Sequence, residues 1–402
     1  MTRPRTLALI LAGGAGTRLE YLTEHRAKPT VPVGGTHRLV DVPLSACSHA
    51  DMSDVWVLQE QHPASLNDHL ANGRPWDLDR TSGGLLAVPP PRGHAREGFS
   101  GGTADVLWRN AGLIREHHAD VLLLASADAV YRMDYDDLIT RHLSSGKALT
   151  MVTAKVPPGE DAGRFGVVEG EGEELTGYAY KPDEPATDII VTEVFVVDPT
   201  DLLDLLEELG RDAGEEGLAD LGDAVLPRFV EDGRARQHRH EGYWRDVGTI
   251  ASYWRGHQEL LGTSPAFRLD DEPQPVLSRM TRLGAARVFA GAQVTDSLLA
   301  PSCEVAGTVE RSVLAQGVVV EAGATVRDSI LSPNVVVRAD AVVERAILDD
   351  DVVVGRGARV GGPAPAGADP AEGIALVGLA EQVPDGATVP DGGRLPEPEP
   401  DE

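Results

Sequence analysis

The feature that most constrains the fold is a six-residue aliphatic repeat in the last third of the chain. Segments reading SLL, SVL, SIL and AIL begin at residues 297, 312, 329 and 346, at spacings of 15, 17 and 17. Within these units aliphatic residues recur six apart: Leu331, Val337 and Val343, then Leu348, Val354 and Val360. Ordinary strands alternate with a period of two and rarely keep this phase. The repeat therefore predicts a parallel β-helix over residues 286–392, in which each coil buries its aliphatic side chains on the next.

The first 260 residues have a different texture, in which strand and helix patterns alternate. Short apolar runs at 6–12, 54–59, 120–128 and 148–156 predict buried strands, and the stretches 103–118 and 201–211 predict helices. Alternation of this kind predicts an α/β domain over residues 1–262, with a mostly parallel, Rossmann-like sheet and helices on both faces. Ligands of such sheets bind at the carboxyl ends of the strands.

Two further segments are distinguished by composition. Residues 263–285 mix proline, charge and isolated apolar residues, and we interpret them as a linker. Residues 393–402, GRLPEPEPDE, are rich in acid and proline, which predicts a disordered tail. The expected organisation is therefore two domains joined by a linker and followed by a short tail.

Charge and composition exclude several classes of function. The net charge of -28 argues against nucleic-acid binding, which requires a basic surface. No run of 18 apolar residues is present, so we expect no membrane-spanning segment and no membrane partner. The two cysteines, Cys47 and Cys303, lie far apart in the sequence, which fits a reducing compartment. We therefore predict a cytoplasmic protein.

A glycine loop follows the first predicted strand. Gly13, Gly14 and Gly16 allow backbone N–H groups to approach a phosphate, and Arg18 adds a bidentate donor. Neither the G-x-G-x-x-G pattern of dinucleotide-binding folds nor the G-K-[ST] of a P-loop is present. Taken alone, a glycine turn after a strand is more often structural than functional, so this loop by itself leaves both interpretations open.

Other charged residues stand where they could reach the same crevice. The chain has only four lysines, and one of them, Lys28, precedes a proline that places it on an extended segment. Asp128 closes a predicted strand, where a carboxylate is a natural Mg²⁺ ligand, although it could equally be a turn residue. Thr103 begins a predicted helix and could be a simple cap. Asp246 precedes another glycine turn.

Taken together and in order, the motifs resemble one family. They are LAGGAGTRL, RAKP, VPVGG, GGTAD, SAD followed by YRMDY, GRFGVV, YKP and YWRDVGT. The series is similar to that of bacterial ADP-glucose pyrophosphorylases (glucose-1-phosphate adenylyltransferases), and the resemblance covers nearly the whole chain. It implies that the β-helix is left-handed. It also implies the Mg²⁺-dependent reaction of ATP with glucose 1-phosphate to give ADP-glucose and pyrophosphate, in α-glucan synthesis.

The resemblance also implies roles for individual residues. Those expected to be catalytic are Arg18, Lys28 and Asp128. Those expected to bind the nucleotide are Leu11, Ala12, Gly13, Gly14, Gly16, Thr17, Gly102 and Thr103. Those expected to bind the sugar phosphate are Gly166, Lys181 and Asp220. Asp128 and Asp246 are expected to hold Mg²⁺.

Several positions depart from the family pattern. Tyr180 replaces a glutamate that would bond sugar hydroxyls, and Ile190-Val191-Thr192-Glu193 replaces A-S-M-G, which lines the sugar site. Gly101 replaces the glutamine that helps recognise adenine. The loop arginine is Ala15, the effector lysine is Thr36, and Ala129 replaces a histidine. The charged groups for phosphate and metal are retained, whereas the groups that read sugar and base are largely replaced.

Two functional hypotheses remain open at this point. In the first, the chain is a nucleotidyltransferase for ATP and a sugar 1-phosphate with altered selectivity. In the second, it is a weakly active or non-catalytic paralogue that regulates a true enzyme. Acyl transfer by the β-helix is disfavoured, since residues 286–392 contain no histidine. The family implies a homo-oligomer, expected to be a tetramer, with a more typical paralogous subunit as an alternative partner.

Overall fold

The computed structural model describes residues 4–14, 16–90, 100–213, 217–280, 283–364 and 366–397. They form two compact units that are interleaved in sequence. The first unit contains residues 4–14, 27–29 and 40–244, and the second contains 16–26, 30–39 and 245–397. Three segments of the predicted first domain, residues 16–26, 30–39 and 245–262, thus belong to the second unit. Division of the chain at residues 262 and 285 stays a prediction.

The chain up to residue 258 alternates strands and helices, as its apolar pattern predicts. The strands are β1 Thr6–Ala12, β2 Pro32–Val33, β3 His37–Arg38, β4 Asp54–Gln59, β5 Gly84–Val88, β6 Val121–Ser126, β7 Ala129–Tyr131, β8 Leu149–Lys155, β9 Gly166–Glu169, β10 Gly177–Tyr180, β11 Ile189–Val197, β12 Ala235–Arg239 and β13 Trp244–Asp246. The α-helices are α1 Tyr21–Glu24, α2 Asp41–His49, α3 Pro63–Leu70, α4 Thr103–Arg109, α5 Ala111–His117, α6 Tyr135–Ser145, α7 Pro199–Asp212, α8 Leu221–Ala224, α9 Leu226–Glu231 and α10 Ile250–Gln258.

A nine-stranded sheet is the core of the first unit. Its main path runs β10-β9-β11-β6-β1-β4-β5, and β8 joins β11 to β12. Strands β6, β1, β4 and β5 are parallel, whereas β11 pairs antiparallel with its neighbours. Nearly every residue of β1, β4 and β6 is buried, which means that both faces of the sheet are covered. The predicted Rossmann-like sheet is therefore confirmed.

One predicted helix is broken in two. The pattern over residues 103–118 predicts a continuous helix, but α4 ends and α5 begins at Asn110. The Asn110 side chain donates to the carbonyl oxygen of Val106 at 2.8 Å. Asparagine side chains compete in this way with the backbone ladder of a helix. The predicted helix at 201–211 lies within α7 and buries Leu202, Leu203 and Leu206.

The second unit contains the parallel β-helix predicted from the six-residue repeat. One sheet consists of β14 Arg287–Val288, β17 Glu304–Val305, β20 Val319–Val320, β23 Val336–Val337, β26 Val353–Val354 and β29 Gln382–Val383. The next consists of β15 Gln293–Thr295, β18 Thr308–Glu310, β21 Thr325–Arg327, β24 Val342–Glu344, β27 Arg359–Gly361 and β30 Thr388–Val389. The third consists of β16 Leu298–Leu299, β19 Val313–Leu314, β22 Ile330–Leu331, β25 Ala346–Leu348, β28 Ala375–Val377 and β31 Arg394–Leu395.

The periodic aliphatic residues stack in register inside these coils. Val320, Val337 and Val354 pair in successive strands and are fully buried. This column explains the repeat, since a polar residue at any of these positions would lack a hydrogen-bond partner. The last strand, β31, lies beyond residue 392, the end predicted from sequence, and residues 398–402 of the predicted tail lie outside the described residues.

The segment interpreted as a linker contributes to the packing of the second unit. Phe267, Leu269 and Val276 are buried, and the Val276 N–H donates to the carbonyl oxygen of Leu269 at 2.7 Å. The Val276 carbonyl lies 2.9 Å from Nε2 of His37. In the described ranges no helix is long and apolar enough to cross a membrane.

Candidate active site

The glycine loop after β1 requires glycine for conformational reasons. Gly14 has a φ of 93° and Gly16 a φ of 65°, in the left-handed region where a Cβ atom causes strain. At Gly13 a Cβ atom would lie 3.1 Å from Cγ of Glu60. Bare backbone of this kind allows close approach of a phosphate. Ala15, where the family has arginine, lies outside the described residues.

The residues that flank the loop differ in exposure. Leu11 and Ala12 end β1 and are 6% and 2% exposed, so only their backbone could meet a ligand. Thr17 and Arg18 lie in the 3₁₀ turn Thr17–Leu19 of the second unit, and both are exposed. Within the part of the chain that the structure describes, the Arg18 side chain has no hydrogen bond or ion pair. Its guanidinium is available to an anion.

Two predicted catalytic residues are brought together in the first unit. Lys28 lies in the 3₁₀ turn Lys28–Thr30, and Asp128 follows β6, 100 residues further along the chain. Lys28 Nζ donates to Asp128 Oδ2 at 3.2 Å, and the two side chains are 10% and 27% exposed. Charges interact more strongly at such a half-buried position than in bulk water. The pair therefore stands preformed beyond the carboxyl end of a central strand.

Gly102 and Thr103 begin α4 and are locked to the segment before α8. A Cβ atom at Gly102 would lie 2.4 Å from the carbonyl carbon of Ala219, so no side chain fits there. The Thr103 N–H donates to Asp220 Oδ1 at 3.3 Å, and Thr103 Oγ1 accepts from the Leu221 N–H at 2.8 Å. The predicted nucleotide-binding residue Thr103 and the predicted sugar-binding residue Asp220 are thus direct neighbours.

Asp220 has a second partner that the sequence did not indicate. Tyr180 Oη donates to Asp220 Oδ2 at 2.6 Å, and Lys181 Nζ lies 3.8 Å from the same oxygen. Lys181 Nζ also lies 4.4 Å from the centre of the Tyr180 ring, a cation–π distance. The predicted sugar-phosphate lysine is therefore partly neutralised by Asp220 and by an aromatic face.

A second tyrosine packs beside this group. A Cβ atom at Gly166 would lie 2.8 Å from the hydroxyl oxygen of Tyr178, so glycine there makes room for the ring. Among the described residues Tyr178 Oη has no hydrogen-bond partner. Burial, followed by the charge of Glu193, raises the pKa of Tyr178. Burial and the bond to Asp220 raise the pKa of Tyr180. Both hydroxyls therefore stay protonated and can donate.

Comparison with known proteins identifies the family. Residues 7–263 match the nucleotidyl transferase family, and residues 285–370 match the C-terminal hexapeptide domain of GlmU-like proteins. The glucose-1-phosphate adenylyltransferase of Thermotoga maritima is 38% identical over 324 residues, which are 79% of this chain and 75% of that protein. Those of Thermosipho africanus and Lachnospira eligens are 34% and 33% identical, over 79% and 80% of this chain and 77% and 75% of theirs.

The chain belongs to the glucose-1-phosphate adenylyltransferase family. The resemblance drawn from the motif series is confirmed, and the hexapeptide match supports the left-handed form of the β-helix. Homologues of this kind indicate a nucleotidyltransferase of the ADP-glucose pyrophosphorylase type.

Two of the residues that replace the A-S-M-G segment of the adenylyltransferase family, Val191 and Glu193, lie in different surroundings. Val191, at the position of a serine expected to line the sugar site, is 3% exposed and belongs to the hydrophobic core of the first unit. Glu193 is exposed, at the irregularity that interrupts β11 between Val191 and Phe195, and has a φ of 58°. Only Glu193 of these two replacements therefore changes the surface near Tyr178 and Tyr180.

Asp246, the second predicted magnesium ligand of the adenylyltransferase pattern, lies at the end of β13. It belongs to the second unit and is 8% exposed. Its Oδ2 accepts from the Gly248 N–H at 3.1 Å, and a Cβ atom at Gly248 would lie 2.9 Å from that oxygen. The preceding Arg245 donates two hydrogen bonds to Glu259, from Nε to Oε2 at 2.7 Å and from Nη2 to Oε1 at 2.5 Å. The carboxylate is therefore rigidly oriented by its own turn.

Two buried carboxylates near the predicted site residues were not among the sequence predictions. Asp105 is fully buried, accepts from the N–H groups of Gly101 and Leu218, and pairs with Arg109 at 2.8 Å. Glu60 is 5% exposed and accepts from Ser100, from N and from Oγ, both at 2.9 Å. Each holds a loop of the first unit. For Asp105 the signal was present in GGTAD, whereas nothing in the sequence pairs Glu60 with Ser100.

Proposed function

We propose that this protein transfers AMP from ATP to glucose 1-phosphate, or to a related sugar 1-phosphate, and releases pyrophosphate. The observation that carries the proposal is the half-buried Lys28–Asp128 pair, at 3.2 Å, in a chain of this family. A regulatory subunit needs no preformed charge pair at that place. The reaction is an in-line displacement at phosphorus, in which positioning and charge neutralisation do the protein's work.

The roles proposed for the chain's own residues follow the family pattern. The backbone around Gly13 and Gly14 would bind the triphosphate, with Gly102 and Thr103 beside the nucleotide. Arg18 would stabilise the leaving pyrophosphate, and Lys28 would neutralise charge on the phosphates. Lys181 would hold the phosphate of the sugar phosphate, while Asp220 and Gly166 would lie beside the sugar. Each role depends on charge or on bare backbone.

Asp128 and Asp246 would hold Mg²⁺, and their chemistry fits that ion. Magnesium prefers hard oxygen ligands and often takes only one or two protein carboxylates, because phosphates and water complete its shell. The described residues contain no group of three or more potential metal ligands from histidine, cysteine, aspartate or glutamate. When bound, the ion would supply positive charge to the reacting phosphates.

The alternative is a weakly active or non-catalytic paralogue that regulates a true enzyme. It is favoured by the Tyr180–Asp220 bond, which occupies the carboxylate that sugar hydroxyls would need. It is also favoured by the exposed charge of Glu193, which repels an anionic sugar phosphate. Both observations concern selectivity for the sugar and leave the phosphate-binding residues unchanged.

A pyrophosphate-release assay on the purified chain tests the proposal. Mg²⁺, a panel of nucleoside triphosphates and a panel of sugar 1-phosphates are combined, and the nucleotide-sugar product is identified by mass spectrometry. We expect turnover with ATP and at least one hexose 1-phosphate. No turnover, together with thermal stabilisation by the same ligands, would establish the paralogue instead. Neither turnover nor stabilisation would reject both.

We further propose that the protein self-associates through the first coil of the β-helix. In the sheets as described, β14, β15 and β16 are end strands with a neighbour on one side only. The surrounding apolar side chains are exposed: Met280 69%, Leu283 44%, Val288 55%, Phe289 46% and Val294 37%. Two copies related by a two-fold axis could pair these edges and bury the apolar side chains. The expected assembly is the tetramer implied by the family.

Light scattering on a matched pair of variants tests this surface. Val288→Glu should lower the number of subunits, because it places a charge in the apolar contact. Leu143→Glu is the control, since Leu143 is 47% exposed but belongs to the first unit. An unchanged mass for Val288→Glu would show that another surface mediates association.

A further inference from the structure

The segment that follows the glycine loop is joined to the last coils of the β-helix. Residues 16–26 belong to the second unit, although they lie close in sequence to β1 of the first. Arg26 Nη1 lies 2.6 Å from Asp349 Oδ1, and Nη2 lies 3.3 Å from Asp350 Oδ2. Asp349 lies 323 residues after Arg26 in the sequence, and Asp350 follows it directly. One arginine thus spans two adjacent carboxylates of the coil that contains β25.

This ion cluster is largely removed from solvent. The Arg26 side chain is 12% exposed, that of Asp349 1%, and that of Asp350 24%. Among the described residues nothing donates a hydrogen bond to Asp349 Oδ2 or Asp350 Oδ1. A buried carboxylate that loses its cationic partner is left uncompensated, so the cluster strongly favours this one arrangement of the segment.

Two more contacts hold the middle of the same segment. The Glu20 carboxylate is paired with the Arg394 guanidinium, and Arg394 Nη2 lies 2.9 Å from Glu20 Oε1. Tyr21 Oη donates to the carbonyl oxygen of Pro396 at 2.7 Å. Both partners lie in or just after β31, the last strand of the coil. The segment is therefore held in its middle and at its last residue by different coils.

The first part of the segment, up to Thr23, is closed on itself. Thr23 Oγ1 donates to the carbonyl oxygen of Gly16 at 2.9 Å, and the Leu19 N–H donates to the same oxygen at 2.8 Å. Leu19 and Leu22 are fully buried. Arg18 lies inside this closed turn, so its backbone can move only if the whole turn moves.

We propose that Asp349 and Asp350 are positioning residues, which through Arg26 fix the segment 16–26 and with it Arg18. The proposal rests on the proposed function for the role of Arg18, but the tether itself does not. Neither carboxylate needs to touch a substrate. The β-helix thereby has a part in the reaction that is separate from assembly, because it sets where a phosphate-stabilising cation stands.

Hydrogen exchange and kinetics on the full-length chain test the proposal together. Asp349→Asn should raise amide exchange in residues 16–26 about tenfold or more. It should lower kcat by about tenfold, with KM for the sugar phosphate changed less than twofold, because a displaced Arg18 loses its contact in the transition state. Arg26→Lys keeps the charge but not the two-carboxylate contact, and should fall between Asp349→Asn and wild type.

Two further variants control for the loss of charge alone and for a failure of Asp349→Asn to fold. Asp351→Asn is the matched control, because it removes the same charge two residues away, at an exposed position with a φ of 62° that asparagine tolerates. Glu20→Gln removes the exposed second anchor and so tests the tether if Asp349→Asn does not fold. It should raise exchange in residues 16–26 and lower kcat less than Asp349→Asn does.

The outcomes separate the tether from the reaction. Unchanged exchange in residues 16–26 of both Asp349→Asn and Glu20→Gln would overturn the proposal. Increased exchange with an unchanged kcat would show a tether that does not position Arg18, which also overturns it. A wild type without turnover on any substrate would instead reject the proposed function, and the exchange measurements would then stand as a test of the tether alone.

Discussion

Two lysine–aspartate pairs in the first unit have the same chemistry but different environments. Lys28 and Asp128 lie 3.2 Å apart with side chains 10% and 27% exposed. Lys181 and Asp220 lie 3.8 Å apart and are 47% and 44% exposed. Solvent screens the second pair far more than the first. The first is therefore a preorganised electrostatic element, whereas the second is a loose one whose partners can be exchanged.

The second pair shows such an exchange. Tyr180 donates to Asp220 at 2.6 Å and covers Lys181 with its ring, where the family has a glutamate. A carboxylate at residue 180 would repel Asp220, so the tyrosine makes a compatible partner. Substitution at the exposed pair changes what is recognised without disturbing the core. The buried pair has no such freedom, which is why we assign catalysis to it and selectivity to the other.

The largest predicted effect comes from the buried pair. Asp128→Asn should lower kcat by about 10²-fold or more, since it removes a preorganised charge whose effect is greatest in the transition state. Asp220→Asn, the same change in the exposed pair, should alter kcat far less. The measurement is pyrophosphate release under saturating substrates, with circular dichroism to confirm folding. Equal losses in the two variants would remove the distinction between the pairs.

The exposed lysine should show its role mainly in binding. Lys181→Ala should raise KM for the sugar phosphate about tenfold and change kcat little, because its contact already exists in the ground state. Lys28→Ala is the matched comparison and should mainly lower kcat. If the wild type proves inactive, the same ranking can be measured as loss of sugar-phosphate affinity by calorimetry. A Lys181→Ala variant that loses kcat at unchanged KM would assign Lys181 to the reaction itself.

The sequence predicts the fold of this molecule better than the details of its site, for physical reasons. Periodicity reports burial, so the β-helix, β1, β4, β6 and β8 follow from it directly. Asn110 interrupts the helix predicted over 103–118 because a single side-chain hydrogen bond competes with the backbone there. A pattern averaged over many residues cannot register one such bond. The predicted boundaries of a helix are therefore wrong where the hydrogen bond of a single side chain ends it.

Within the site, the residue types indicated which side chains carry charge, but they did not indicate which side chains contact each other. The approach of Asp128 to the glycine loop could be anticipated, since strand ends converge at one edge of a parallel sheet. Its contact with Lys28 could not, because Lys28 lies in a 3₁₀ turn and not on the extended segment expected from Pro29. The Tyr180–Asp220 bond could not, because the two residues are 40 positions apart and belong to no common motif. Val191 was misread for a related reason. Its place in the family pattern suggested the sugar pocket, but its burial in the core of the first unit excludes it.

A smaller effect should follow from releasing Asp220. Tyr180→Phe removes the hydroxyl donor and keeps the ring over Lys181, so Asp220 Oδ2 becomes free to accept from a sugar hydroxyl. We expect KM for glucose 1-phosphate to fall about threefold, equivalent to part of one hydrogen bond. Thermal stability should change little, since the carboxylate is half exposed. A rise in KM would mean that the Tyr180 hydroxyl itself binds the substrate.

The smallest effect concerns Glu193, whose charge and backbone conformation affect the surroundings of the exposed pair. Its φ of 58° is a conformation that glycine adopts without strain, so Glu193→Gly relieves roughly 1 kcal/mol while removing a charge near Tyr178 and Tyr180. We expect KM for glucose 1-phosphate to fall about twofold at low salt and the melting temperature to rise slightly.

Glu193→Gln separates the two causes, because it removes the charge but keeps the strain, and should lower KM without raising the melting temperature. Raising the salt concentration to about 0.5 M should abolish the KM effect of both variants, since exposed charges are then screened within a few ångströms. The Lys28–Asp128 pair, being less accessible to solvent, should leave kcat far less sensitive to the same salt. A KM that stays improved at high salt would place the cause in the shape of the β11 irregularity and not in its charge.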